Sequence, residues 1–394
     1  MSMQQSAGST ENRISSGAVE GGFEPVKALL DRFLLEDETY SAQLCVYWHG
    51  RPVIDLWGGP DMVSDSLTGV FSVSKGVSAL CIATLVDSGE LDLDARVTRY
   101  WPEFAAHGKD GILVRELLSH QAGLFAPPGT TLDDYLDSRG LAAALAAVRP
   151  AWRPGKVFGY HALTIGVLME ELVRRVHGAS LQELYAETYR RPYRLDFFLG
   201  LPEAEDARFR DQLPVILTPA QQAESMPIPG DADGLSSAAF SGVDAHGPVL
   251  IPNRADVRRA GPAAVGGVGN ARGLATVYAA AATGIDGIAP VVGERALAEM
   301  AQEQVYGVDR ILHDEMAFGV VFMKPQPRIP FASHLAFGHD GAGGALGYAD
   351  PMYRLAFGYI PQRMSYPGGG DSRFVQLSTA VRRCVANLQS DRQG

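Results

Sequence analysis

The strand-like and helix-like signals of this chain are segregated along its length, and that segregation leaves few folds open to it. Near the N-terminus, residues 42–48 and 53–57 flank a His49-Gly50-Arg51-Pro52 turn and read as a β-hairpin, ended by Gly58-Gly59-Pro60. Before it, Phe23, Val26, Leu29, Leu30, Phe33 and Leu34 space as an amphipathic helix. From Leu91 to about Arg210 the pattern is helical, broken at Trp101-Pro102, Pro127-Pro128-Gly129 and Arg153-Pro154-Gly155. A further helix is expected to begin within Gly266–Arg272 and to run to Ala282. Short strand-like runs follow at 317–323, 336–338, 344–349 and 353–360, which predicts an antiparallel meander, and 374–388 can return as a helix.

The expectation is therefore an α/β (α+β) chain, with an antiparallel sheet flanked by helices and a helical domain inserted into it. Its parts would be a flexible lead at 1–19, an α/β domain at 20–90 and 263–394, and a mainly helical insertion at 91–262. Within that insertion, residues 211–262 are rich in Pro, Gly, Ser and Asp and predict a long loop or lid.

Residues 71–90 carry the strongest chemical signal. Phe71-Ser72-Val73-Ser74-Lys75-Gly76 precedes Val77, Leu80, Cys81, Ala83, Leu85 and Val86 at helical spacing, and Gly89 supplies a stop. Ser72 and Lys75 then share one face of a helix's first turn. A primary alcohol is a poor nucleophile until a base removes its proton, and a desolvated lysine can act as that base because, unlike arginine, it can shed its charge. The chain holds only five lysines, at 27, 75, 109, 156 and 324, and only Lys75 has a serine three residues before it. The competing reading makes Ser72 a helix cap and Lys75 a solvated side chain.

Bulk properties narrow the function classes. With 46% hydrophobic and 20% charged residues, the 394-residue chain can bury a large core. A net charge of −11 argues against a nucleic-acid footprint or an anionic membrane surface. Cys45, Cys81 and Cys384 are widely spaced without a CxxC pair, so buried free thiols in a reducing compartment are expected, with no metal and no cofactor. Residues 1–19 have neither a basic start nor an apolar core, and no run reaches the ~18 apolar residues that span a bilayer. A cytoplasmic enzyme without a membrane partner follows as the expectation, its oligomeric state open.

Two other constellations stand out. Tyr160 ends the Pro-Gly loop of Trp152–Ala162, where a phenol can hydrogen-bond a serine and relay its proton; packing is the alternative role. His339-Asp340-Gly341-Ala342-Gly343-Gly344 lies between strand-like runs, where small residues admit a substrate and leave N–H groups for an oxyanion; a plain glycine turn is the alternative.

Together, Ser72-Val73-Ser74-Lys75, Tyr160-His161-Ala162 and His339-Asp340-Gly341 resemble, in order and rough spacing, the Ser-x-x-Lys, Tyr-x-Asn and Lys/His-x-Gly motifs of class C β-lactamases, D-alanyl-D-alanine carboxypeptidases and family VIII esterases. Leu117–Leu124 is similar to the family's Leu-Leu-(Ser/Thr)-His-x-(Ser/Ala)-Gly-Leu segment. The resemblance implies a sheet made from both chain ends, a site in the cleft against the helical insertion, and hydrolysis of a small-molecule ester through a Ser72 acyl-enzyme. Lys75 and Tyr160 would transfer the proton, and the Ser72 N–H with one from the strand after His339 would hold the oxyanion. Ala162 stands where penicillin-recognising members carry Asn, and His339 where many carry Lys, and both changes favour short esters over β-lactams. His339, Gly341 and His161 are candidate substrate-binding or oxyanion residues, His161 replacing the missing amide or facing away. A β-lactamase or D,D-peptidase and a silent ligand-binding protein are the rivals. A conventional α/β-hydrolase is excluded by the absence of Gly-x-Ser-x-Gly.

Overall fold

The structure is a computed structural model and describes residues 14–224, 234–242, 250–366, 368–370 and 372–391. Its centre is a six-stranded antiparallel sheet built from β1 (Ser16–Val19), β2 (Ala42–Trp48), β3 (Arg51–Gly58), β9 (Phe337–Asp340), β10 (Leu346–Asp350) and β11 (Leu355–Pro361). Their spatial order is β1-β3-β2-β11-β10-β9, so the N-terminal hairpin and the C-terminal meander join where β2 pairs with β11, from Ala42↔Pro361 to Trp48↔Leu355. Both strands are buried along their whole length.

Residue alternation assigns the two faces of this sheet. Tyr348 and Tyr359 point to α7 (Ser372–Asp391), the first through a 2.9 Å hydroxyl contact with Ser378 and the second through the Phe374 ring. On that side α7 lies beside α1 (Glu24–Glu36). The other face carries α2 (Val73–Asp87) and α5 (Ala271–Ala282), and α6 (Glu294–Ala301) packs on α2. The helical stretch includes α3 (Ser138–Ala147) and α4 (Thr164–His177). In α4, Ile165, Leu168, Met169, Leu172 and Val173 are buried at helical spacing, and Gly178 closes the helix in a left-handed conformation.

A small second sheet brings that stretch to α2. Its strands are β4 (Thr68–Gly69), β5 (Phe197–Leu199) and β6 (Gly267–Gly269), with β6 in the middle. A third pairing joins β7 (Val305–Val308) to β8 (Glu315–Phe318).

Four local expectations change. Ser16–Val19, read as part of the flexible lead, is an edge strand on β3; most of it is exposed, so it has no apolar alternation to reveal it, and residues 1–13 lie outside the described residues. Residues 267–269, read only as the approach to a helix, form strand β6, while α5 itself begins at Ala271, within the expected stretch, with Asn270 capping it by accepting from the Gly273 N–H. The apolar run 317–323 is a strand only to Phe318 and then a turn, with Val321 at φ 63°; every residue in it is buried, so periodicity carried no information there. Within the 211–262 loop, helical turns form at 219–224, 235–239 and 255–260, while 225–233 and 243–249 lie outside the described residues.

The three cysteines are free and buried, and no helix among the described residues is long and apolar enough to cross a membrane.

Candidate active site

Ser72 is the cap residue of α2, following Phe71 in a left-handed conformation at φ 50°. Ser74 fixes that turn: its hydroxyl donates to the Phe71 carbonyl and accepts the Gly267 N–H at 2.8 Å. Ser74 is thus a fully buried latch between α2 and β6, while Ser72 keeps some exposure.

Lys75, one turn on, is fully buried. Its Nζ lies 2.9 Å from Ser72 Oγ and donates to the Ala264 carbonyl at 3.0 Å. Burial pushes its pKa down to about 7, with Asp340 pulling the other way. A substantial neutral fraction at pH 7 gives the amine a lone pair for the serine proton.

Tyr160 approaches Ser72 from the helical side, near enough for the serine hydroxyl to act on its phenol. Lys75 Nζ sits 5.0 Å from its ring centroid, Phe318 stacks on it at 5.9 Å, and His120 and His339 flank it at 5.2 and 6.1 Å. Its backbone N–H donates to Asp309 Oδ1, which also accepts from Ile311 and Leu312. Burial drives the phenol's pKa upward, only partly offset by the Ser72 hydroxyl, so Tyr160 holds its proton in the resting site.

His339 and Asp340 belong to β9 itself rather than to the turn after it. His339 faces α2: a Cβ on Gly76 would stand 3.0 Å from His339 Cβ and 2.2 Å from the Tyr278 hydroxyl, so only glycine lets helix and strand approach this closely. Its Nδ1 is 2.7 Å from the Asp340 carbonyl, and Nε2 is buried without a hydrogen-bond partner among the described residues. Burial and then the Lys75 charge lower its pKa to about 3, so the ring is neutral. Asp340 is pushed up to about 6 by burial, with Arg328 and Lys75 opposing.

Gly341 lies against the serine turn. A Cβ there would fall 2.2 Å from the Val70 carbonyl and 3.4 Å from the Ser72 nitrogen. Neither the Ser72 N–H nor that of Ala342, the next residue, has an acceptor among the described residues.

His161 is turned away. Its Nε2 accepts the Leu124 N–H at 2.9 Å, and Nδ1 bonds the Gly159 carbonyl at 2.8 Å. The His161 N–H itself donates to His120 Nδ1. Both ring nitrogens are committed to backbone, and neighbouring Ala162 is buried and apolar, so position 161 supplies no replacement for the missing amide.

The structure therefore gathers Ser72, Lys75, Tyr160, His339 and Gly341, and leaves His161 as a brace between loops. The residue motifs did not single out the Ala264 carbonyl, Asp309 or Phe318. A backbone acceptor carries no sequence signal, and the other two sit far from any motif. Among the described residues, no group of three His, Cys, Asp or Glu side chains could hold a metal ion.

A family model described as Beta-lactamase matches residues 26–380. The chain belongs to the β-lactamase family. It is a serine hydrolase with that family's mixed helical and antiparallel fold. The esterase/β-lactamase LipL of Mycobacterium tuberculosis is 34% identical over 372 residues, covering 88% of this chain and 83% of its own. Among solved β-lactamase-fold structures, EstA of Arthrobacter nitroguajacolicus Rue61a superposes with TM-score 0.87 at 46% identity, covering 95% of this chain and 99% of that one. A family VIII carboxylesterase gives 0.84 at 33% identity, covering 94% and 99%. A penicillin-binding protein homologue from Caulobacter crescentus gives 0.82 at 32%, with the same coverage.

Proposed function

We propose that this protein is an esterase that hydrolyses short-chain carboxylic esters through an acyl-enzyme on Ser72. The observation that carries the reading is the buried Lys75 amine, pushed to about pKa 7 and 2.9 Å from Ser72 Oγ, with the Tyr160 phenol beside the same serine. Neutral Lys75 takes the Ser72 proton as Oγ bonds to the ester carbonyl carbon. The negative oxygen that forms is stabilised by the Ser72 and Ala342 N–H groups and by the positive end of α2. When the C–O bond to the alcohol breaks, Tyr160 gives its proton to the departing alkoxide and is refilled from the Lys75 ammonium. Water then attacks the acyl-enzyme by the reverse relay, releasing the acid and restoring Ser72. Tyr160 and Lys75 titrate as a pair, and the high phenol and low amine pKa values make Lys75 the resting base.

Selectivity for esters is supported at two positions. Ala162 offers no side-chain amide, and neutral His339 beside Asp340 offers no cation for a β-lactam carboxylate. Leaving two such substrate groups unpaired costs on the order of 1–3 kcal/mol each, so roughly 10² or more in kcat/KM at 1.36 kcal/mol per tenfold. LipL, described as both an esterase and a β-lactamase, keeps cephalosporin hydrolysis as the second reading. The test compares p-nitrophenyl butyrate with a chromogenic cephalosporin on purified protein. The proposal expects the ester to be preferred at least ~100-fold in kcat/KM, and Ser72→Ala to abolish its turnover. Equal turnover of the two substrates overturns the selectivity, and an active Ser72→Ala protein overturns the mechanism.

A further inference from the structure

Away from Ser72, α6, the end of α5, the 324–337 segment and the β10–β11 turn enclose a cleft of about 1010 Å³. Val292, Leu297, Ala301 and Phe337 give it apolar walls. Phe337 precedes His339 by two residues on β9, so the cleft lies on the α2 face of the sheet, and none of Ser72, Lys75, Tyr160, His339 or Gly341 lines it.

Lys324 lines this cleft and is only 6% exposed. Its backbone is held by a 2.9 Å bond from its N–H to the Ala317 carbonyl. Its ammonium has no hydrogen-bond or ion-pair partner among the described residues, and burial lowers its pKa to about 8, with Glu303 and Asp350 opposing. A lysine of this burial is ordinarily paired.

The carboxylates around it are unequally committed. Asp350 accepts from the Ser333 N–H and hydroxyl and from the Met352 N–H. Glu299 is held by Arg115 at 2.9 Å. Glu303 is left as the anion that competes for the ammonium, with Glu294 at the start of α6 and Arg295, His334 and Arg354 completing the polar lining.

We propose that this cleft is a second ligand site, for an aliphatic monocarboxylate whose head group pairs with Lys324 and whose chain lies along the Leu297–Phe337 wall. One unpaired ammonium at the cleft wall matches one negative charge, and three glutamates in the lining disfavour a dianion. Its volume is at the upper end of ordinary small-molecule pockets, ~300–1,000 Å³, and exceeds what a head group alone would fill.

The test labels lysines with trinitrobenzenesulfonate at pH 8 and maps the modified peptides by mass spectrometry, with octanoate as probe. Octanoate should slow labelling of Lys324 saturably and leave exposed Lys156 unaffected. Glu303→Gln should lower the octanoate concentration needed for half-protection several-fold. Calorimetric titration of Lys324→Met should show binding weakened roughly tenfold or more, as for loss of a charge-assisted hydrogen bond. Three results overturn the proposal: no protection of Lys324, protection by 1-octanol equal to that by octanoate, or a Lys324 that never labels. The labelling arms keep Lys324 in place and do not depend on the folding of the Lys324 variant. None of these readouts requires turnover, so their failure leaves the esterase reading standing, and the reverse also holds.

Discussion

At Lys75, two residues set the pH response. The base form is needed, and burial places its loss of a proton near pH 7, so kcat/KM for p-nitrophenyl butyrate should fall as pH drops through about 7 and level off above it. The Asp340 carboxylate favours the ammonium, so Asp340→Asn should move this acid limb to lower pH; a limb that stays in place would show that Lys75 is not the group titrating. Lys75→Arg keeps the charge but cannot act as a base, and should lose ~10³-fold or more in kcat, close to Lys75→Ala. Tyr160→Phe keeps the stack on Phe318 and removes the relay, so kcat should drop ~10²–10⁴-fold with KM nearly unchanged. A fall in KM affinity without loss of kcat would give Tyr160 a binding role instead. Much of this trio was legible in the sequence: three-residue spacing at a helix start is a geometric statement, and it brings Ser72 and Lys75 within 2.9 Å. The depth of burial that lowers the lysine's pKa was not, because the Ala264 carbonyl and the wall formed by β9 come from segments almost 200 residues away or more.

The loop ending at Tyr160 works as an element because it is laced to the 119–124 turn. The Gly159 N–H donates to the His120 carbonyl, the His161 N–H to His120 Nδ1, and the Leu124 N–H to His161 Nε2. His161→Leu leaves the buried Leu124 N–H unsatisfied and should cost about 1–3 kcal/mol, read as an earlier midpoint in chemical denaturation. The acid limb of the surviving activity should stay at its wild-type pH, since Lys75 keeps its surroundings; a shifted limb would return His161 to the reacting groups. Sequence placed His161 beside Tyr160 and so near the chemistry, but adjacent side chains on an extended loop point apart, and only tertiary structure says which one faces the serine. Edge strand β1 was hidden for a related reason. Three of its four residues are exposed, so its pairing with β3 leaves no pattern in composition.

Across the whole molecule, sheet and helices were readable because hydrophobic period separates them, whereas small strands such as β6, three residues with two glycines, fall below any periodic signal. The three buried thiols offer a global readout: they should resist a thiol reagent in the native state and react together on unfolding, and rapid reaction of one alone would mark a locally open segment. The sheet's connectivity has a consequence in time. Partners β2 and β11 lie roughly 300 residues apart in sequence, and β2 is buried along its whole length in the finished protein. During synthesis the N-terminal hairpin must therefore wait, one long edge unpaired, until nearly the entire chain has been made. A nascent chain halted before Leu355 should expose that edge and aggregate rather than accumulate as a stable N-terminal half, so survival in the cell should depend on chaperones holding the early hairpin apart from its neighbours on the polysome.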